Sequence, residues 1–170
     1  MSMICVLRQV EEAEIEYLLS HPEEIHNFLC GDENEEIEER IKGEIDLDKA
    51  WHGLHFLLTG SAWDGEEPLC YLVRGGHEIG DEDVGWGPVR AISPDVAASF
   101  DAALTQVTAD DLRQRFNPAE MMKQQIYPEI WDRDPEVDDT LGYLVEYYGS
   151  LTRFVRETRD THKGLIVFLA

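Results

Sequence analysis

The chain has 170 residues, enough for one domain with a buried core, and its 43% apolar and 9% aromatic content excludes general disorder. Its 36 acidic and 14 basic residues give a formal net charge of -22, without the clustered Lys and Arg that neutralise phosphates, which excludes nucleic acid as a ligand. No apolar run approaches the roughly 18 to 20 residues of a membrane helix, and "ICVLRQV" follows the N-terminus without the basic, apolar and small-residue regions of a secretory signal. Cys5, Cys30 and Cys70 are odd in number and form no C-x-x-C pair. They read as reduced core thiols of a cytoplasmic protein.

In chain order, a strand is expected at about 4 to 9. "VEEAEIEYLLS" then carries Val10, Ile15, Leu18 and Leu19 at near-helical spacing. "SHPEEIHNFLC" has Pro22 in a first turn after a cap at Ser20, and Gly31 closes that helix. The acidic run "DENEEIEE", residues 32 to 39, leads to Ile41 and Gly43 as a thinly striped helix or a loop. "LDKAWHGLHFLLTG", 47 to 60, is a helix with Leu47, Ala50, Trp51, Leu54 and Leu58 along one stripe and Phe56 opposite, hence packed on two faces. "GSAWDGEEP" reads as loop, "LCYLVRGG" as a short strand or buried segment, and "RGGHEIGDEDVGWGP", 74 to 88, with five glycines, as an irregular loop.

"PVRAIS" is the next strand candidate. Ser93 with Pro94, Thr108, and Asn117 with Pro118 then start three helices, over "DVAASFDAAL", "ADDLRQRF" and "AEMMKQQIYPEIW". A long helix from about 139 to 161 aligns Leu141, Leu144, Val145, Tyr148, Leu151 and Val155, and "LIVFLA" after Gly164 fits a central, fully buried terminal strand. The fold class is α+β, one compact domain over residues 1 to 170. A small mixed β-sheet takes strands from both termini and the middle and is covered by several helices.

Two regions carry candidate chemistry. On the 47 to 60 helix, Asp48, His52, His55 and Thr59 fall together as a polar seam. His52 and His55 are spaced to reach one metal ion, with Asp48 as a ligand or as the carboxylate orienting an imidazole, and His77 as a further ligand. The H-E-x-x-H pattern of a zinc hydrolase is absent, so no metal is expected, and histidines that hydrogen-bond within the core are the plainer reading. The second region is the glycine-rich 74 to 88 segment. Its glycines admit a ligand close to the backbone, Trp86 offers an aromatic face, and Asp81, Glu82 and Asp83 repel phosphate.

No calcium loop is present: in "DRDPEVDDTLGY", Asp132, Asp134 and Glu136 alternate, but Val137 and Tyr143 stand where Gly and Glu are needed. No G-x-S-x-G elbow or cysteine-nucleophile context occurs either. The K-A-W-H-x-L-H-x-L-L-T-G core, the I-G-x-E-D-V-G-x-G-P loop and the terminal "YLVEYYGSLTRFVRETRDTHKGLIVFLA" resemble the bacterial YfbM-like family, the domain of unknown function 1877. The resemblance spans essentially the whole chain. It implies a single-domain α+β cytoplasmic protein and supplies no catalytic residue.

The residues therefore predict an acidic, non-enzymatic binding or protein-interaction module that needs no cofactor. Its partner would be a basic protein, for example a toxic nuclease whose groove the acidic face covers, because a single-sign field speeds encounter with opposite charge. The alternative is an enzyme or a small-ligand or metal pocket built from Asp48, His52, His55, His77, Glu82, Asp83 and Trp86, where the helix meets the glycine-rich loop. The pattern fixes no oligomeric state.

Overall fold

The structure, a computed structural model, describes residues 2–31, 43–83 and 86–170, apart from the side chains of Glu82 and Asp83. Strand β1 (Cys5–Val10) leads into helix α1 (Glu12–Ser20), a 3-10 turn (Pro22–Glu24) and α2 (Ile25–Cys30). Next come β2 (Glu44–Asp46), α3 (Ala50–Thr59), β3 (His77–Asp83) and β4 (Pro88–Ile92). Four helices, α4 (Pro94–Thr105), α5 (Ala109–Arg115), α6 (Pro118–Lys123) and α7 (Thr140–Asp160), precede β5 (Gly164–Leu169). The strands form one sheet in the order β2-β1-β5-β4-β3.

The α+β class and the strand sources stand, with β5 central as its unbroken apolar run requires. The sheet is not mixed, however, because all four pairings are antiparallel. The helical excursion from β4 to β5 brings the chain back to the end of the sheet it left, so the two neighbours run in opposite directions.

Alternation along the strands divides the core between two faces. Cys5, Leu7, Ile92, Leu165 and Val167 join the larger cluster with Trp51, Leu54, Phe100, Trp131 and Leu151. Val10, Ile79, Val89, Ala91 and Ile166 face the other way, against Ile15, Leu18 and Ile25. The sheet is thus a middle layer between α1 and α2 on one side and the remaining helices on the other.

Local signals performed unevenly. Thr108 accepts from Asp111 N and Asn117 from Glu120 N, each at 3.1 Å, so both cap as expected. Ser93 occupies a cap position but bonds no backbone N–H with its side chain, and the Ser20 hydroxyl donates to Glu16 O at 2.9 Å instead of capping. Helix α6 stops at Lys123, well short of Trp131, and the chain turns out of the helix at Gln125, whose φ is 54°. Cys30 is exposed, unlike Cys5 and Cys70, because it ends α2 on the outer side.

"LCYLVRGG" is neither strand nor helix but a buried turn. The 74 to 88 segment is mostly strand: β3 pairs with β4, with a register shift between Glu78 and Asp83. Only Ile79 of β3 is assigned to the core, so this edge strand lacks the alternation that reveals a strand in sequence. The acidic run at 32 to 39 and Ile41 lie outside the described residues.

Candidate functional site

Helix α3 has no β-branched residue before Thr59 and is apolar there apart from His52 and His55, and Gly60, at φ 76°, ends it by donating to Phe56 O at 2.7 Å. Every residue from Ala50 to Leu58 is buried, so the polar seam points into protein. Gly53 sits mid-helix because a Cβ there would meet Trp131 and Leu144 at 2.8 Å.

Both seam histidines are fully buried. His52 Nδ1 accepts the Tyr127 backbone N–H at 2.9 Å. That fixes the proton on Nε2, which donates to Ala62 O at 2.7 Å. Trp63 lies over the same ring, with centroids 4.3 Å apart. His55 Nε2 donates to Asp64 O at 2.9 Å, while its Nδ1 is the sole buried side-chain nitrogen or oxygen among the described residues without a partner. Burial lowers the pKa of both imidazoles, that of His55 to about 4, so both are neutral at pH 7.

Of the remaining predicted site residues, the side chains of Glu82 and Asp83 lie outside the described residues, and Asp48, His77 and Trp86 lie elsewhere. Asp48 precedes α3 and its Oδ2 accepts the Tyr143 hydroxyl at 2.9 Å, away from either imidazole. His77 is exposed at the start of β3. Among the described residues no group of three His, Cys, Asp or Glu side chains is placed to hold a metal ion. The structure brings His52 and His55 together in the core and separates them from Asp48, His77 and Trp86.

Trp86 instead borders an open pocket of about 220 Å³, which Arg74, Gly75, Glu78, Gly87 and Arg90 also line. Arg90 stands on β4 in an otherwise apolar strand and is only 5% exposed. Its Nη1 donates to Tyr71 O at 2.9 Å and Gly75 O at 3.3 Å, and its Nη2 to Leu72 O at 3.3 Å. Two carbonyls of the buried turn at 69 to 74, together with that of Gly75, thus serve this guanidinium.

Of the buried charged side chains, Arg8 pairs with Glu44, and Asp101 with Arg159 and Arg156. Arg90 has no carboxylate within ion-pair distance among the described residues. Burial lowers its pKa more than the nearby Glu78 carboxylate raises it, yet a guanidinium keeps its proton, so a charge with no ion-pair partner among the described residues stays at the pocket wall.

Neighbouring groups hold the wall in place. Glu67 Oε1 accepts Gly76 N at 3.1 Å and Oε2 accepts the Tyr71 hydroxyl at 3.0 Å. Gly75 (φ 83°) and Gly76 (φ 77°) turn the chain where a Cβ would come within 2.7 Å of Glu67 Oε1 and Ala91 O, respectively. Arg74 Nη1 donates to Asp64 Oδ1 at 2.7 Å, and the Asp64 backbone is the acceptor held by His55. The buried imidazole therefore positions the loop that positions Arg74.

Glu78 is the cross-strand partner of Arg90, exposed, and in no ion pair among the described residues. Sequence reasoning found Trp86 and the glycines but missed Arg74, Glu78 and Arg90. The available signal was a single arginine inside the apolar "PVRAIS" strand.

Among the described residues the lining contains no hydroxyl, thiol, imidazole or amine side chain, so they offer no nucleophile of the usual kinds.

Comparison with known proteins supports the same fold. A family model described as "Domain of unknown function (DUF1877)" matches residues 1–168. Protein YfbM of Escherichia coli (strain K12) is 30% identical over 138 residues, covering 76% of this chain and 75% of that protein. The crystal structure of YfbM from Escherichia coli, described as a protein of unknown function, superimposes with a TM-score of 0.72 at 22% identity, over 98% of this chain and 99% of that one.

Proposed function

As a member of the DUF1877 family the chain shares a fold but no named reaction with its relatives, and we propose that it is a non-enzymatic binding module whose pocket beside Arg90 takes a small organic anion. The observation that carries this reading is Arg90 itself, a buried cation in no ion pair among the described residues, at the wall of an open pocket. A charge in that position costs several kcal/mol unless something offsets it, and three carbonyls supply only partial compensation. A ligand carboxylate completes it through a charge-assisted hydrogen bond. At about 220 Å³ the pocket is smaller than the roughly 300 Å³ at which drug-sized sites begin, which limits the ligand to a small molecule.

Titration calorimetry with phenylpropionate and its neutral amide tests the reading. The acid binds, the amide binds about ten-fold more weakly or not at all, and Arg74→Gln weakens the acid. Equal binding of acid and amide overturns the anion reading.

A basic protein segment is a second reading, favoured by the charge of -22 and by a groove of about 360 Å³ between α1 and α2. Its lining is mostly apolar, with half-exposed Tyr17 and the carboxylates of Glu14 and Glu24. A lysine- and leucine-rich helical peptide should bind there with an affinity that falls steeply with salt and with Tyr17→Ala. Salt dependence without any effect of Tyr17→Ala assigns the binding to bulk charge and removes the groove.

A further inference from the structure

We propose that the ligand of the Arg90 pocket is a small zwitterion of the amino-acid type, its carboxylate on the arginine side, its ammonium on Glu78 and its apolar part against Trp86. This inference rests on the binding reading given above and adds the second charge. Three features of the pocket carry it.

The first is a pair of opposite charges that do not meet. Glu78 and Arg90 are direct partners across β3 and β4, where opposed Cα atoms lie about 4.5 to 5.5 Å apart. An acid and an arginine so placed ordinarily pair across the strands. Here Arg90 turns inward to three backbone carbonyls and Glu78 stays at the surface, so both line the pocket without an ion pair between them. A molecule bearing both charges fits between them.

The second is local polarity. Among the described residues two guanidinium groups and one carboxylate line this pocket, in a chain whose net charge is -22. An acidic field disfavours a simple anion everywhere on the surface, and it disfavours a zwitterion far less because that ligand has no net charge. Glu78 would also repel a bare carboxylate, whereas it accepts hydrogen bonds from an ammonium.

The third is Trp86, 48% exposed and lining the same space. Its ring offers an apolar face to a side chain and a favourable quadrupole to a nearby cation. No bond forms or breaks in this scheme; the site selects by charge at both ends of a short molecule.

Calorimetry on the full chain at neutral pH with L-phenylalanine, phenylpropionate and phenethylamine separates the contributions, and L-alanine, propionate and ethylamine repeat the comparison with a smaller body. The zwitterion of at least one series should bind about ten-fold more tightly than either single-charge analogue. Glu78→Gln should erase its advantage over the acid, and Arg74→Gln its advantage over the amine. Both residues are surface-exposed, so the variants keep the fold, which the unchanged thermal midpoint of the free protein verifies. Should the acids bind as tightly as the zwitterions and ignore Glu78→Gln, the zwitterion inference fails while the organic-anion reading survives. Absence of binding in both series overturns the two together.

Discussion

Helix α3 and the Arg90 pocket both place polar side chains among apolar ones, and they treat them in opposite ways. On α3 the polar groups mostly find partners within the protein: His52 uses both ring nitrogens on backbone groups and His55 uses one. At the pocket Arg90 and Glu78 face each other across two strands and do not pair. A polar group satisfied internally holds the chain together, whereas opposite charges left apart at an open surface are available to a ligand. The contrast teaches that two histidines at metal-like spacing bond to backbone within the core, and that the arginine in a plain strand lines the pocket proposed above as the binding site.

Breaking the α3 side should cost stability and leave recognition chemistry alone. Leu54 is fully buried in the larger core cluster, and Leu54→Ala is expected to lose about 2 to 5 kcal/mol in urea unfolding. A loss below about 1 kcal/mol would show that α3 is not the central packing element.

The same helix should make stability depend on pH. The unfolded chain takes up a proton at His55 near the ordinary value of 6.5, while the folded chain resists protonation until about 4. Unfolding therefore binds protons between those limits, and stability is complete above about pH 6.5 and declines as pH falls toward 4. The His55 contribution is about 3 kcal/mol across that window. Urea midpoints for wild type and His55→Gln at pH 7.5 and at pH 5 check it; parallel behaviour of the two proteins would remove His55 as the cause.

His52→Gln sharpens the comparison further. One amide cannot easily serve both the Tyr127 N–H and the Ala62 carbonyl, so about 1 to 3 kcal/mol should be lost in chemical denaturation. A neutral outcome would mean that the ring is a space-filler and its bonds are dispensable.

The smallest stability effects belong to the pocket. Trp86→Ala and Glu78→Gln, both at exposed positions, should change unfolding free energy by less than about 0.5 kcal/mol. Trp86→Ala should nonetheless weaken binding of any ligand found there, as read by calorimetry. A large stability loss with binding intact would reverse the roles assigned to the two regions.

Much of the fold was legible because its signals are local. Thr108 and Asn117 announce helices through bonds to residues three positions on, and the stripe of Trp51, Leu54 and Leu58 repeats within one element. The long helix ran almost as expected, although Leu141 and Val145 are only partly buried and the buried face shifts to Phe154 and Thr158. The candidate site was only partly legible: the glycines and Trp86 stood out by type, while Arg74, Glu78 and Arg90 belong together only after β3 and β4 pair.

By itself the sequence determined the α+β class, the central terminal strand and the buried α3 helix, since hydrophobic periodicity and capping act over a few residues. Tertiary structure alone decided that the histidine seam faces inward, that the glycine-rich segment contains an edge strand, and that an arginine and a glutamate line one pocket without forming an ion pair. Those outcomes depend on which distant backbone carbonyls and strands arrive beside each side chain. Ala62 and Tyr127 complete His52, Asp64 serves one nitrogen of His55, and Tyr71, Leu72 and Gly75 cradle Arg90. No local pattern encodes such meetings, because hydrogen-bond satisfaction is a property of the assembled interior.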